Sequence, residues 1–361
     1  MKALTIIVPS CNMEKYLAKC CESMVVAPEL MERLEVLVVN DGSTDRTSEI
    51  GHSFERWYSG TFRVIDKENG HYGSCVNRGL AEAKGEFVKL LDADDTFDTA
   101  GFARLLRFLA EGSASGTLDK IDLVLTDYCI VDKRGKTLRV VSFGGDADAA
   151  FGVDESIEGR CCSAMCVFRT RMLRDIGYCQ TEGILYTDLE WGTFPMLGVR
   201  KIKYLPIVVH RYFQGREGQS ISAAVAGSRS GDLERVLSRM VDELGGYRGD
   251  KGKESFFASR LNSVATNLYH NYLICVPLSE VDAGFARADA IVNRLPSLRA
   301  STENVRLSNR LRFHYVAAWR RRRHLPRLVV LFARAYSCLA SGIMRWIVRM
   351  IPVAAITADL L

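Results

Sequence analysis

An α/β fold with a mixed, mostly parallel sheet flanked by helices, followed by a C-terminal helical region, is predicted by three features of the sequence. Short apolar segments alternate with amphipathic segments as far as residue 131, which is typical of layered α/β structures. The apolar segments are nearly continuous, as parallel strands buried on both faces are. From residue 229 onward, helical patterns replace the alternation.

Strands and helices are predicted in a regular order. The first five strands are LTIIVPS (4–10), LEVLVVND (34–41), FRVID (62–66), EFVKLLDADD (86–95) and IDLVLTDYCIV (121–131). The helices between them are Lys15–Met24, Asp45–Trp57, Ser74–Lys84 and Thr99–Ala110. One more strand, KIKYLPIVVHRYF (201–213), follows a less regular stretch. We therefore expect an α/β domain over residues 1–222, a helical region over 223–310 and a basic amphipathic helical tail over 311–361.

Positive charge is concentrated in the tail. After Glu303 the chain has eleven arginines and one acid, Asp359, so this part carries a net charge of +10. The whole chain carries +5, which leaves −5 for the rest. Such an asymmetry indicates an anionic partner for the tail.

The cysteines and the N-terminus favour a cytoplasmic location. The chain has eleven cysteines, an odd number, and none lies in paired CxxC motifs with nearby histidines. They are interpreted as small apolar side chains in a reducing compartment rather than as zinc ligands. The first residues, MKALTIIVPSCNMEKYL, lack the long apolar region and cleavage site of a signal peptide.

Polar residues follow several of the predicted strands. Asp41-Gly42-Ser43 forms either a simple turn or a ligand contact. Asp92, Asp94 and Asp95 crowd the end of the fourth strand, and each makes ionisation of the next more costly. They are either solvated acids before a helix or a site for a divalent cation. Ligands bind beyond the carboxyl ends of parallel strands, where these residues are expected.

Four segments carry a family resemblance when they are taken together and in order. They are TIIVPSCNMEKYL, LEVLVVNDGSTDRT, KENGHYGSCVNRGLAEAKGEFVKLLDADD and YTDLEW. This set resembles the family-2 glycosyltransferases with the GT-A fold, which use nucleotide-diphosphate sugars. The resemblance makes residues 1–222 a GT-A catalytic domain.

The resemblance implies a donor site for a UDP-sugar. Asp41 matches the acid that bonds the uracil ring, and Pro9 and Ser10 match the segment that lies along the nucleotide. The residues assigned to donor binding are Pro9, Ser10, Asp41, Asn77, Asp92, Ala93, Asp94 and Arg216.

The resemblance also explains why three acids lie so close together in the sequence. Asp92, Asp94 and Asp95 match the DxD region, where carboxylates hold a divalent cation that bridges the donor diphosphate. The metal ligands are predicted to be Asp94 and Asp95, beside Asp92, and the metal Mg²⁺ or Mn²⁺, since both accept oxygen ligands.

Asp188 is the predicted catalytic base. An acceptor hydroxyl must lose its proton as it attacks the sugar, and the family places its base in a short acidic motif before an aromatic residue. Here the first acid of that motif is replaced by Thr187, which leaves Asp188 as the base and Glu190 as the second candidate. The alternative is structural, because Thr187 and Glu190 have the spacing of a capping box.

A basic segment, VHRYFQGREGQSIS, follows the last predicted strand. Cations there would stabilise the departing nucleoside diphosphate. His210, Arg211 and Arg216 are the candidates, with Gln219 and Ser220 as polar contacts. A basic surface loop explains the segment equally well.

The tail has a helical arginine pattern. Arg327, Arg334, Arg345 and Arg349 are expected on one stripe of a helix that is otherwise mainly apolar. Several arginines within one span argue against crossing a bilayer. A helix in the membrane interface, with its arginines toward anionic headgroups, is favoured over a helix packed on the catalytic domain. No nucleic-acid recognition motif accompanies the arginines.

The sequence thus predicts an inverting, metal-dependent glycosyltransferase that moves a sugar from a UDP-sugar to the hydroxyl of a glycan or lipid-linked acceptor. It would act at the inner face of the cell membrane as a peripheral protein. The alternatives are a sugar-phosphate nucleotidyltransferase and a non-catalytic nucleotide-sugar binding module.

Overall fold

The structure is a computed structural model that describes residues 1–215, 227–308 and 311–337. The chain divides into two compact units. The α/β unit consists of Met1–Gln219 and Gly246–Arg260, and the helical unit of Ser220–Gly245 and Leu261–Leu361. The α/β unit thus includes residues 246–260, which lie inside the predicted helical region.

One ten-stranded sheet forms the centre of the α/β unit. Its strands are β1 (Leu4–Ser10), β2 (Leu34–Asp41), β3 (Phe62–Lys67), β4 (Phe87–Leu90), β5 (Thr96–Phe97), β6 (Leu123–Val131), β7 (Thr137–Val141), β8 (Ala150–Phe151), β9 (Cys166–Arg169) and β10 (Ile202–Phe213). The strand order is β3-β2-β1-β4-β9-β6-β10-β5, with β7 beside β6 and β8 beside β10.

The sheet is mixed and its long central pairs are parallel. β1 pairs in parallel with β2 and with β4, β2 with β3, and β6 with β10. β9 runs antiparallel to both β4 and β6 and joins the two parallel groups. The predicted fold class is confirmed.

Helices cover the sheet of the α/β unit. They are α1 (Leu17–Glu22), α2 (Pro28–Met31), α3 (Thr47–Trp57), α4 (His71–Glu82), α5 (Thr99–Ser115), α6 (Thr170–Asp175) and α7 (Asp188–Trp191), with 3₁₀ turns at Glu155–Ile157, Ser163–Met165 and Phe194–Leu197. α5 shows how local sequence sets such bounds. The Asp98 carboxylate accepts a hydrogen bond from Gly101 N (2.9 Å) at its start, and Gly116 adopts a left-handed conformation just beyond its end.

The core of the α/β unit lies on both faces of the sheet. Every residue of β1 and of β2 is buried, which explains why neither strand alternates apolar with polar residues. Burial of a Val, Leu or Ile side chain contributes about 1.5–3 kcal/mol, so these two strands anchor the sheet. Their carboxyl ends, at Ser10 and Asp41, therefore provide a fixed edge for a site.

The helical unit is built mainly of α-helices in its described residues. Its helices are α8 (Ser230–Leu244), the C-terminal part of α9 (Lys251–Ile274), α10 (Val281–Val292), α11 (Pro296–Thr302) and α12 (Tyr315–Arg322), with a 3₁₀ turn at Leu278–Glu280 and a hairpin of β11 (Arg306–Ser308) and β12 (Leu311–His314). Residues 327–337 are also helical. Six apolar residues of α8 are buried: Leu233, Val236, Leu237, Met240, Val241 and Leu244.

The tail differs from its predicted arrangement where it is described. Arg334 donates hydrogen bonds to the carbonyls of Leu273 and Val276, so it does not lie on an exposed arginine stripe. Arg345 and Arg349 are outside the described residues. Within the described ranges, no helix combines the length and hydropathy needed to span a membrane.

Candidate active site

Three carboxylates meet where the chain leaves β4. The strand ends at Leu90, and the chain then turns so that Asp95 N donates to Asp92 O (2.9 Å). Carboxylate oxygens of Asp92, Asp94 and Asp95 all lie within 4.8 Å of one another. Ala93 is buried between them and holds the turn against the core. Clustered oxygen ligands of this kind suit Mg²⁺ or Mn²⁺.

Asp92 lies beside two other acids, in an environment where a cation would stabilise the ionised carboxylate. Burial raises the pKa of its carboxyl to about 7, and the charges of Asp95 and Asp94 add to this effect. Tyr72 opposes it by donating its hydroxyl to Asp92 Oδ1 (2.7 Å). A nearby cation would favour the ionised carboxylate. The residues present therefore fit a divalent ion.

Asp95 is held in place by two protein donors. His210 Nε2 lies 2.7 Å from Asp95 Oδ2, and Phe213 N donates to Asp95 Oδ1 (2.7 Å). Burial, with a further effect of Lys89, lowers the pKa of His210 to about 3. His210 is therefore neutral and donates its single hydrogen to Asp95. It is an orienting residue and not the predicted cation for a departing diphosphate.

Among the other candidates from the basic segment, Arg211 is the one that lies within the described residues. Arg211 donates from Nη2 to Gly135 O (2.8 Å), in the turn between β6 and β7. Arg216, Gln219 and Ser220 are outside the described residues. Arg211 thus contacts a turn, and its role as a diphosphate ligand stays a prediction.

Asp41 closes β2 and is buried among fixed donors. Its Oδ1 accepts from Lys67 Nζ (2.6 Å) and from Gly70 N (2.9 Å). The same ammonium also donates to Ser74 Oγ (2.9 Å). The next residue, Gly42, has φ +66°, and a Cβ there would lie 3.0 Å from Asn69 N, so only glycine fits without strain. The carboxylate predicted to bond uracil is therefore rigidly oriented.

Pro9 and Ser10 end β1 beside the end of β2. They pair with Val39 and Asn40 in the parallel register, and Ser10 Oγ donates to Val8 O (3.2 Å). This places both residues on the same edge of the sheet as Asp41. The expectation that they lie along a nucleotide stays a prediction.

Asn77 has a different setting from the one predicted. Its Nδ2 donates to Gln180 O (3.0 Å) and Glu182 Oε1 (2.9 Å), and its Oδ1 accepts from Gln180 N (2.7 Å). Gly73 supports the same contact, since a Cβ there would lie 2.2 Å from Thr181 O. These bonds indicate that Asn77 anchors the segment before Asp188, and its assignment to donor binding stays a prediction.

Asp188 begins α7 and its side chain is exposed. Desolvation by the surrounding protein nevertheless raises the pKa of its carboxyl, and the positive charge of Arg260 opposes this. Burial raises the pKa of Tyr72 well above its ordinary value, and the charges of Asp92 and Asp188 both add to it. The two carboxylates thus act on one phenol, which links Asp188 to the acid cluster.

The predicted capping box is wrong. Thr187 makes no side-chain cap, and its hydroxyl is buried without a partner. Glu190 is fully buried and accepts from Thr181 N (2.7 Å) and Thr181 Oγ1 (2.6 Å). Glu190 therefore fixes the loop ahead of Asp188 and is poorly placed to act as a base.

Three side chains near the site were missed by sequence reasoning. They are Tyr72, Tyr212 and Arg260. Tyr72 lies in the segment KENGHYGSCVNRGLAEAKGEFVKLLDADD, but nothing in the sequence marks it as a partner of Asp92. Burial raises the pKa of Tyr212 to about 12, and all the acids around the cluster contribute. Arg260 comes from α9, beyond every segment that carries the family resemblance.

Comparisons with known proteins agree with this geometry. Residues 5–177 match the family model described as glycosyl transferase family 2. An uncharacterized glycosyltransferase of Mycoplasma pneumoniae is 37% identical over 103 residues, which are 28% of this chain and 34% of that protein. The minor teichoic acid biosynthesis protein GgaB of Bacillus subtilis is 31% identical over 107 residues, 30% of this chain and 12% of that protein. The chain thus spans about a third or less of these relatives.

Solved structures share the fold. Staphylococcus aureus TarS matches with a TM-score of 0.63 at 20% identity, over 90% of this chain and 54% of TarS. A TarS 1–349 fragment, crystallised in complex with UDP-GlcNAc, matches with a TM-score of 0.55 at 21% identity, over 83% of this chain and 90% of the fragment. At such identities the likeness concerns the fold alone.

Proposed function

Because residues 5–177 match the model of glycosyl transferase family 2, we propose that the chain is a member of this family and moves a sugar from a UDP-sugar to an acceptor hydroxyl with inversion. The observation that carries the proposal is the cluster of Asp92, Asp94 and Asp95, which is suited to a cation because its carboxylate oxygens lie within 4.8 Å of one another. Tyr72, whose hydroxyl donates to Asp92 Oδ1 (2.7 Å), is also affected by the charge of the exposed Asp188.

Asp188 acts as the base that activates the acceptor hydroxyl. Its carboxylate takes the proton of the acceptor hydroxyl while that oxygen forms a bond to the anomeric carbon. The bond from the same carbon to the diphosphate breaks, and UDP leaves with the electron pair. The desolvated setting of Asp188 raises the pKa of its carboxyl, which makes it a better proton acceptor than an ordinary aspartate.

The donor occupies the edge formed by β1, β2 and the turn after β4. Asp41, oriented by Lys67 and Gly70, would accept a hydrogen bond from the uracil ring. Asp94 and Asp95 would hold Mg²⁺ or Mn²⁺, whose charge offsets that of the donor diphosphate. His210 and the Phe213 amide keep Asp95 in one orientation for this task.

The acceptor is proposed to be a glycan or a lipid-linked saccharide. The match with GgaB, a minor teichoic acid biosynthesis protein, supports a role in making a cell-surface polymer. Such acceptors are built on the inner face of the cell membrane, and we propose this as the place of action.

Release of UDP from a panel of donors tests the proposal. UDP-GlcNAc is the first donor to try, because a TarS fragment of the same fold was crystallised with it; UDP-glucose, UDP-galactose and GDP-mannose complete the panel. Each is assayed with Mn²⁺ or Mg²⁺ and with a chelator, and Asp188→Asn is the inactive control. Formation of pyrophosphate instead of UDP would indicate a nucleotidyltransferase. Tight binding of UDP-sugars without any turnover, whatever acceptor is supplied, would indicate a binding module.

A further inference from the structure

The helical unit exposes an apolar face on its last described helix. In residues 327–337, Val330 and Ala333 are buried, whereas Leu328, Leu331 and Phe332 are 80%, 47% and 58% exposed. A helix that served only to pack on its unit would turn its large apolar side chains inward. This helix has apolar residues on both faces.

The hairpin before it extends the same surface. Phe313 of β12 is 41% exposed. Together with Phe332, it helps to line an apolar cavity of 290 Å³. We call the surface formed by Phe313, Leu328, Leu331 and Phe332 the tail face. Contiguous exposed apolar groups of this kind mark interaction sites.

Arginines border the tail face. Phe313 also lines a second cavity, of 420 Å³, together with Arg321 and Arg322. These arginines and Arg327 are exposed. Residues 304–337 contain no acidic residue, so the segment that provides this surface brings no negative charge of its own.

We propose that the tail face docks on an anionic lipid surface. The leucine and phenylalanine side chains would enter the boundary between headgroups and acyl chains, and Arg321, Arg322 and Arg327 would contact lipid phosphates. A second copy of this chain fits less well, because a symmetric contact would bring the same arginines together. The membrane contact therefore uses apolar and basic side chains side by side rather than the predicted single arginine stripe.

This inference deepens the proposed place of action but is independent of sugar transfer. Vesicle binding is measured without any substrate, so its failure would leave the proposed transferase reaction untouched. Conversely, an absence of sugar transfer in assays without membranes would not change the conclusion drawn from vesicle binding.

Co-sedimentation of the full-length chain with vesicles tests the proposal. Binding is expected to phosphatidylcholine vesicles that contain phosphatidylglycerol and to be weak with phosphatidylcholine alone. Arg321→Gln, Arg322→Gln and Arg327→Gln should each weaken binding about fivefold at low salt, and the effect should shrink at high salt. Leu328→Gln with Phe332→Gln should weaken binding at every salt concentration.

Matched controls lie in the α/β unit. Leu138 and Val140 of β7 are 50% and 53% exposed, and Leu138→Gln with Val140→Gln should leave vesicle binding unchanged. Arg171, whose side chain is 89% exposed, is the control for charge. Unchanged binding of the tail-face variants, or a full-length chain that ignores anionic vesicles, would overturn the proposal. So would a lipid-free dimer that dissociates when Leu328 and Phe332 are replaced, since the face would then be an interface between copies.

Discussion

The hydroxyl of Tyr72 donates to Asp92 Oδ1 across 2.7 Å, and so ties the start of α4 to the acid cluster after β4. Burial already raises the pKa of Asp92 to about 7. Because the bond from Tyr72 favours the ionised carboxylate, it helps to keep this acid available to a cation near neutral pH.

Tyr72→Phe should therefore weaken metal binding. A hydrogen bond to a charged group contributes about 1.5–3 kcal/mol, so Mn²⁺ affinity at pH 7 should fall about tenfold or more. Calorimetric titration with Mn²⁺ in the presence of UDP measures this. Tyr204→Phe is the matched control, since Tyr204 also donates to a carboxylate, Asp127 Oδ1 (2.8 Å). Equal Mn²⁺ affinity of wild type and Tyr72→Phe would remove Tyr72 from the site.

Asp94→Asn should weaken UDP binding only when a divalent ion is present. The acid cluster would hold a divalent ion whose charge offsets that of the diphosphate, so chelation of the metal should produce the same loss in the wild-type chain. Calorimetry with UDP, with and without chelator, compares the two. If UDP binds the wild type equally well in both conditions, the acid cluster is not a metal site for the nucleotide.

Asp188→Asn should reduce turnover by about 10²-fold or more, with UDP affinity little changed. The ionised carboxylate is the form that accepts a proton. Desolvation raises the pKa of this carboxyl above its ordinary value, so turnover of the wild type should fall as the pH drops through that raised pKa. Steady-state kinetics across pH measure both effects. Asp175, an exposed acid on α6, provides a control, and Asp175→Asn should keep normal turnover.

Arg260 should influence the pH at which turnover falls, because its charge acts on the pKa of Asp188. It donates from Nε to Thr193 Oγ1 (3.0 Å), pairs with Glu158 (3.4 Å), and lowers the pKa of Asp188. Arg260→Gln removes the positive charge, so the acidic limb of the pH–rate profile should move to higher pH, whereas Arg260→Lys should largely preserve it. Arg239→Gln in α8 is a control for loss of one arginine. An unchanged limb in Arg260→Gln would make Arg260 purely structural.

The parallel strands could be predicted well from sequence because their environment is uniform. β1 and β2 begin and end at the predicted residues, since each is buried throughout and is bounded by a clear change to polar residues. The family resemblance drawn from the four ordered motifs is likewise confirmed for residues 5–177. Both signals are local and depend on contiguous residues.

The contacts that position Asp188 could not be predicted. The spacing of Thr187 and Glu190 indicates a local cap, but Glu190 instead binds Thr181, a choice that depends on how the 180–190 segment folds over α4. The tail shows the same limit. Helical periodicity places Arg334 on an exposed stripe, yet the free carbonyls at the end of α9, including that of Leu273, attract its guanidinium.

Glu190→Gln should reduce stability more than catalysis. One oxygen of the buried carboxylate becomes an amide that cannot accept from Thr181, which should cost about 1–3 kcal/mol of unfolding free energy. Urea denaturation and turnover are measured on the same preparation. A variant of normal stability that has lost all turnover would instead make Glu190 the base.

Asp289 and Arg320 provide the last prediction, which separates structural arginines of the tail from those of the tail face. Arg320 Nε lies 2.7 Å from Asp289 Oδ1, and both side chains are almost completely buried. Burial alone would raise the pKa of Asp289, but hydrogen bonds from Arg320 and Tyr269 hold it below its ordinary value.

A carboxyl whose pKa is lower in the folded state than in the unfolded state stabilises the native state above its unfolded pKa. This contribution to stability is lost as the pH falls through the folded-state pKa. Arg320→Met leaves a buried carboxylate without its main partner and should cost about 3–5 kcal/mol. Arg321→Met, at the exposed neighbour, should cost almost nothing, and Asp289→Leu combined with Arg320→Met should recover part of the loss. Chemical denaturation of the full chain at pH 7 and at pH 4 measures these differences, and equal stability of Arg320→Met and Arg321→Met would show that the buried pair does not hold the helical unit together.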